Sequence, residues 1–310
     1  MILLGVENRL IRDVLTSWFQ TPTAVDQMFT DFDGVSYHLE SAKQGPLTLS
    51  MDIRCWSELV ENGVQDMLRN IYGSWLSAST EDGYSVSLQF DYNTIPAPGP
   101  ERDALIQSAA LLKRNAVAAP FERAFTEQAK LEASYDPASP QATTSTLIPI
   151  HYRADEAMYI LSAHDRVTVV FSTRFDEETD RIFGKVFLQE FVDARRQPSI
   201  QNAPQVLYSS KEPPLEIRGV PGVQKAESTG YVTFVLFPRH FQHPDVRFST
   251  ISHIQLFRDY LHYHIKCSKA YMHSRMRHRV AELLKVLNRA KPEYAEKERK
   301  TASGRAFRRA

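Results

Sequence analysis

The chain has 310 residues, of which 43% are hydrophobic and 24% charged, and its formal net charge is +0. These values are typical of a globular protein with one or two domains and argue against wholesale disorder. No apolar run is long enough to span a bilayer, so we expect no membrane insertion. Cys55 and Cys267 form no CxxC pair, which favours reduced thiols in a cytoplasmic protein.

The first half of the chain predicts strands followed by helices. Alternating apolar and polar residues indicate half-buried strands over 35–39, 47–53 and 83–90. Ser57 is placed to cap a helix that runs from Glu58 towards Tyr72. We expect a longer helix from Asp103 to about Lys130, kinked at Pro120.

A small, polar, proline-containing segment over residues 133–147 predicts a linker. We therefore expect an N-terminal domain over 1–132 and a second domain over 148–248. The second domain has β-rich segments at 158–161, 166–171, 183–188 and 230–237 and a short helix over 188–195. In each half the last strand begins Gly-Tyr and leads into the longest helix, which indicates a weak internal duplication.

These patterns predict an α+β fold: two related domains of antiparallel sheet with helices packed on one face, followed by a long C-terminal α-helix. The long helix is predicted over residues 249–291, which contain no glycine, and it precedes a basic tail over 292–310. Its apolar residues recur every three or four positions, on one face. About forty helical residues span roughly 60 Å, more than one small domain can cover. We therefore expect part of this apolar stripe to extend beyond its own domain and to pack against a second surface.

The charge is distributed unevenly along the chain. Residues 266–310 contain fourteen Lys or Arg and four Glu, a net charge of +10, so the remainder of the chain carries −10. Such asymmetry predicts an interaction segment whose partner is nucleic acid, an anionic membrane or an acidic protein surface. A basic-arm nucleic-acid-binding protein is the main alternative. It is disfavoured by the few stacking aromatics among the arginines and by the acidic remainder of the chain.

Sequence motifs give no catalytic, cofactor or metal site. The chain contains no GxGxxG, GxxxxGK[ST], GxSxG or HExxH pattern. His262 and His264 lie about 200° apart on a helix and cannot chelate one ion together, so we interpret this histidine-rich stretch as packing residues. Asp31–Gly34 is too poor in later carboxylates for a calcium loop and predicts a turn. We therefore expect a protein that is not an enzyme.

Long runs of the sequence resemble the subunit 2 family of the actin-related protein 2/3 complex, which nucleates branched actin filaments. The similarity extends over nearly the whole chain, and its departures lie in residues 95–100, 133–147 and 219–229. The densest matches are Phe234–His240, Phe257–Tyr271 and Leu284–Ala290, supported by Met1–Leu4, Asp31–Val35, Leu112–Asn115, His151–Arg153, Asp165–Thr173 and Arg275–Arg277.

The resemblance implies a scaffold subunit that pairs with subunit 4 of the complex, whose long helix lies beside this one. It further implies that the pair holds the two actin-related subunits, joins the other complex subunits and contacts the side of the mother actin filament. Nucleotide belongs to the actin-related subunits in that family, and nucleic acid has no part in this role. The implied location is the cytoplasmic actin cytoskeleton, in cortical patches or leading-edge networks.

Two sets of residues on the long helix follow from combining this resemblance with the stripe and the charge. We expect the first set to bury against the chain's own sheet and the partner subunit, as a seam. We expect the second set to face the acidic surface of the mother filament. The seam residues are Ile254, Phe257, Leu261 and Ile265, and the filament residues are Lys285, Arg289, Lys291 and Arg305.

Overall fold

The structure is a computed structural model that describes residues 4–43, 45–137, 144–194, 197, 202–223 and 225–289. Contacts group Met1–Tyr263 into one compact unit and His264–Ala310 into another. The helices are α1 (Arg9–Gln20), α2 (Trp56–Glu61), α3 (Val64–Tyr72), α4 (Pro100–Ala110), α5 (Leu112–Ser134), α6 (Glu178–Ala194) and α7 (Pro244–Arg289). The strands are β1 (Val25–Thr30), β2 (Ser36–Ser41), β3 (Leu47–Asp52), β4 (Val86–Phe90), β5 (Ile148–Ile150), β6 (Met158–Ser162), β7 (Val167–Arg174), β8 (Gln205–Ser210) and β9 (Thr229–Leu236).

The N-terminal sheet has the order β1-β2-β3-β4, and all its pairs are antiparallel. Leu39 pairs with Leu49, which pairs with Leu88, and all three side chains are fully buried. Because side chains alternate across a strand, the residues before and after each of these leucines lie on the opposite face of the sheet. The predicted alternation over 35–39, 47–53 and 83–90 is confirmed in β2, β3 and β4.

The second sheet has the order β5-β6-β7-β9-β8 and is also antiparallel. Its central strand β7 has seven of eight residues buried, which suits its apolar, β-branched sequence. Helix α5 contacts α2 and α3 of the N-terminal half and β6 and β7 of the second sheet. It is bonded to the second sheet through Ser162 of β6, whose hydroxyl donates to Ala124 O at 2.8 Å. The predicted α+β class, with two antiparallel sheets and a long C-terminal helix, is confirmed.

Three local predictions were wrong. The segment 183–188, predicted as β-rich, lies inside α6, where Gly184 and Leu188, four residues apart, are buried on one face. Ser57 does not cap α2, because the N-cap residue is Cys55. The predicted helix from Glu58 to Tyr72 is divided into α2 and α3 by Gly63, whose φ of 86° glycine adopts without strain.

The long helices also differ from their predicted bounds. Pro120 lies inside α5, and the break between α4 and α5 falls at Leu111 instead. Helix α7 begins at Pro244, before the predicted start at residue 249. The domain bounds around 133–147 stay a prediction, since residues 138–143 lie outside the described part of the chain, as does the tail over 292–310. None of the helices described combines the length and the apolar composition needed to cross a membrane.

Candidate functional site

The first part of α7 is built into the core. Ile251, Ile254 and Leu261 are each at most 3% exposed, and their spacing of three and seven residues places them on one helix face. Between them, the Phe257 ring lies 4.8 Å from that of Phe234 on β9, nearly perpendicular to it. Edge-to-face aromatic pairs of this kind add to the stabilisation from burial. This part of α7 is therefore an integral element of the second sheet's core.

Arg114 of α5 also holds the first part of α7. Its guanidinium donates to Ser252 Oγ at 3.2 Å and to Phe248 O at 3.1 Å, and it lies 4.0 Å from the centre of the Phe248 ring. In return, Gln255 Nε2 donates to Arg114 O at 3.1 Å. Arg114 is only 6% exposed, so these bonds replace those that water would make. Helix α5 therefore binds α7 as well as the second sheet.

A cluster of charged side chains lies where α5, α7 and two loops meet; we call Asp31, Asp33, Lys113, Arg153, Glu156, Arg258 and Asp259 the charged cluster. At one end, Lys113 Nζ donates to Asp31 Oδ2 and Asp33 Oδ2, both at 2.6 Å. Burial opposes the charge of Lys113, but Asp33 and Asp31 outweigh burial and raise its pKa. Lys113 therefore fixes the β1–β2 loop to α5.

Glu156, in the loop between β5 and β6, occupies the centre of the charged cluster and is 5% exposed. Its carboxylate accepts from Arg258 Nε of α7 at 2.8 Å and from the backbone N–H of Arg174 on β7 at 3.0 Å. Arg153 Nε lies 3.6 Å away, and the other end of that guanidinium donates to Phe32 O. A buried charge survives when it is paired and hydrogen-bonded. Glu156 thus fastens α7 to the second sheet.

Asp259 is the least compensated member of the charged cluster. Its Oδ1 lies 3.6 Å from Arg258 Nη1 and is buried without a hydrogen bond. Burial, followed by the charge of Asp33, raises the pKa of Asp259 to about 6. The charged cluster as a whole ties α7 to the β1–β2 loop, α5 and the β5–β6 loop, so that the base of α7 is held rigidly.

The later part of α7 is exposed. The segment 264–289 has seven Lys or Arg and one acidic residue, Glu282. From Tyr271 onwards, its large apolar side chains are all at least 49% exposed: Tyr271, Met272, Met276, Val280, Leu283, Leu284, Val286 and Leu287. At about 100° per residue, Met272, Met276, Val280, Leu283 and Leu287 share one face, which we call the exposed apolar stripe. By the same geometry, Lys285 and Arg289 lie on the opposite face of the helix.

The predicted site residues occupy two different environments. Ile254, Phe257, Leu261 and Ile265 are between 0% and 6% exposed. Lys285 and Arg289 are exposed on α7, whereas Lys291 and Arg305 lie outside the described residues. The filament and partner roles of these residues stay predictions. In the part of the chain that the structure describes, the side chains placed to share a metal ion are His38, Glu40 and Glu81.

The charged cluster was not predicted from the sequence. Its pairs are far apart in the chain: Lys113 and Asp33 are separated by 80 residues, and Arg258 and Glu156 by 102. Asp31–Gly34 was identified only as a turn, and no local pattern connects a turn to a distant lysine. The one usable signal was the presence of charged residues within apolar stretches, as at Arg258 and Asp259 in the stripe of α7.

Comparison with known proteins identifies close relatives over the full chain. Residues 49–294 match the family described as the Arp2/3 complex 34 kD subunit, p34-Arc. The chain is 53% identical over 320 residues to the actin-related protein 2/3 complex subunit 2 of Schizosaccharomyces pombe, covering 100% of both chains. It is 39% identical over 309 residues to the protein of the same name from Dictyostelium discoideum, covering 99% of each.

Proposed function

Since the chain belongs to the family of 34 kD subunits of the Arp2/3 complex, p34-Arc, we propose that it is a non-catalytic scaffold that pairs with subunit 4 and contacts the side of the mother actin filament. The observation that carries this proposal is α7. Its base is buried and ion-paired, and its later part presents an apolar face and an opposite basic face to solvent. Such a helix can bind two partners at once while its base keeps their relative geometry fixed. The proposed location of this scaffold is the cytoplasmic actin cytoskeleton.

We assign the pairing with subunit 4 to the apolar side of α7. Ile254, Phe257, Leu261 and Ile265 form the base of this seam, and because they are already buried they have little surface left for a partner. The exposed apolar stripe continues the same periodicity and supplies the free area. Contiguous exposed apolar surface on a soluble protein marks an interface, and burial of the stripe by a second long helix would supply lasting affinity.

We assign the mother filament to the basic side of α7. Lys285 and Arg289 are exposed, and no acidic side chain of the helix lies within four residues except Glu282. Lys291 and Arg305 belong to the same proposed contact. Charges on an accessible face accelerate encounter with an acidic surface and lose strength as salt rises. The two actin-related subunits would be held by the remainder of this scaffold together with subunit 4.

The test is a charge reversal on the filament face. Complexes are reconstituted with Lys285→Glu/Arg289→Glu, and with Lys43→Glu/Arg54→Glu as a control that makes the same charge change on exposed positions of the N-terminal half. We expect normal assembly with both, and with the first a rise of about tenfold or more in the Kd for filaments in cosedimentation and a matching loss of branches. Branching equal to the control would refute the filament assignment. Loss of subunit 4 from the first variant would instead place these residues in the subunit seam.

A further inference from the structure

The outer face of the N-terminal sheet carries a group of metal-ligating side chains. His38 and Glu40 are two residues apart on β2, on the face opposite Leu39. Glu81 reaches the same place from the segment that precedes β4. One ligand atom from each of these three residues lies within 4.8 Å of the other two. His38 and Glu81 are 43 residues apart in the sequence, so only the fold brings this group together.

The group is held in place by its surroundings. The backbone N–H of Glu81 donates to Ser87 Oγ at 3.2 Å, and the N–H of Tyr84 donates to Glu81 O at 3.1 Å. The Tyr84 ring stacks on the His38 imidazole with their centres 5.9 Å apart. His38 itself is 5% exposed. A ligand arriving here would therefore meet side chains that are already positioned, which reduces the entropic cost of binding.

The group has more negative charge than it can neutralise. His38 Nδ1 lies 2.6 Å from Glu81 Oε1, and His38 Nε2 lies 3.1 Å from Asp26 Oδ1. Glu40 is exposed and pairs in register with Asp26 across the β1–β2 ladder. Three carboxylates thus surround one imidazole, which supplies at most one positive charge. Glu81 Oε2 is buried and accepts no hydrogen bond, although carboxylate oxygens in such positions are normally paired.

We propose that His38, Glu40 and Glu81 form a binding site for a divalent transition-metal ion of the Zn²⁺ type, with Asp26 as the outer carboxylate. Imidazole and carboxylate oxygen are ligands that Zn²⁺ accepts, and a fourth position would be left to water. On binding, one ring nitrogen of His38 releases its proton to solvent and donates its lone pair to the metal. The other keeps its N–H and donates to the neighbouring carboxylate, the usual support of a metal-bound histidine. The ion would fasten the segment around Glu81 to β2.

The experiment uses the purified full chain, treated with EDTA and then with iodoacetamide so that the exposed thiol of Cys267 cannot compete. ZnCl₂ is titrated calorimetrically at pH 7.5, with MgCl₂ as the control cation. The critical variant is Glu40→Gln, which removes one ligand and leaves both hydrogen bonds of the imidazole in place. Glu61→Gln, on the exposed side of α2, is the matched control.

We expect one Zn²⁺ per chain in the wild type and in Glu61→Gln, and an affinity lower by about tenfold or more in Glu40→Gln and in Glu81→Gln. The midpoint of thermal unfolding should rise with Zn²⁺ only in the first two proteins. Absence of stoichiometric Zn²⁺ binding would overturn the proposal and leave the group as an imidazolium between carboxylates. Binding that is unchanged in Glu40→Gln would overturn it as well, because the ion would then occupy another set of histidines.

Discussion

The ion pair between Glu156 and Arg258 offers the sharpest test of how α7 is held. Glu156→Ala removes the carboxylate that accepts from Arg258 Nε at 2.8 Å and from the backbone N–H of Arg174 at 3.0 Å. The Arg258 guanidinium, with a side chain 15% exposed, would then remain buried without its main partner. Leaving a buried charge unpaired destabilises a protein far more than the intact pair stabilises it.

The expected cost can be assembled from these two bonds. A hydrogen bond to a charged group contributes about 1.5–3 kcal/mol, and a buried backbone donor left without an acceptor costs about 1–3 kcal/mol. We therefore expect Glu156→Ala to lower the free energy of unfolding by about 3–5 kcal/mol, the range seen when one member of a buried pair is removed. Replacing both members should cost less than the sum of the single replacements, because neither charge is then left unpaired.

The assay is urea unfolding of the full chain, followed by far-UV circular dichroism, for Glu156→Ala, Arg258→Met and the double variant. We expect a coupling free energy of about 1.5 kcal/mol or more between the two positions. The control is the pair Glu178–Arg181, whose atoms lie 3.5 Å apart and in which Glu178 is exposed; Glu178→Ala should change stability by less than about 0.5 kcal/mol. A cost below about 1 kcal/mol for Glu156→Ala, or additive effects in the double variant, would refute this account of α7.

Three further variants test the interior. Asp259, whose pKa is raised to about 6 from 3.8, destabilises the fold where it is ionised, so Asp259→Asn should raise stability by up to about 3 kcal/mol above pH 6. In urea titrations, this gain in stability should disappear as the pH falls from 6 towards 4. A gain that stays constant across that pH range would contradict the role given to Asp259. Phe257→Ala should cost about 3–5 kcal/mol by leaving a cavity beside Phe234, and a loss under 1 kcal/mol would show that the ring is not part of the core. Gly230→Ala would place a Cβ 3.0 Å from the Phe175 ring and should cost about 1–3 kcal/mol in thermal unfolding, whereas an unchanged midpoint would show that the ring yields freely.

Local patterns predicted the elements whose environment is the same along their whole length. β2, β3 and β4 each have one buried face, so their side chains alternate, and that alternation is visible in the sequence. The segment 183–188 of helix α6 was mispredicted as β-rich, although a helix was predicted from residue 188, because only Gly184 and Leu188 of α6 are buried. Its many exposed apolar residues weaken the helical periodicity of the sequence. The β-propensity of residues 183–188 then favours a strand.

The charged cluster and the group around His38 could not be predicted from the sequence. Each forms between residues that are tens of residues apart, and single charged residues carry no signal of their partner. Lys113 could pair with any carboxylate until the fold brings Asp31 and Asp33 to 2.6 Å from its ammonium group. Long-range pairing is decided by topology and register, which a single sequence does not contain.

The sequence by itself determined that α7 is a helix with an apolar face and a basic end, and it also indicated the family of the chain. Helical periodicity depends only on the order of residues along the chain, so it can be identified without knowing the fold. Only the tertiary structure decided that the buried part of this face ends at Ile265 and that Met272, Met276 and Leu287 are left exposed. The physical reason is that a repeat shows which side of a helix is apolar, whereas the extent of its burial depends on how much surface the folded sheets offer.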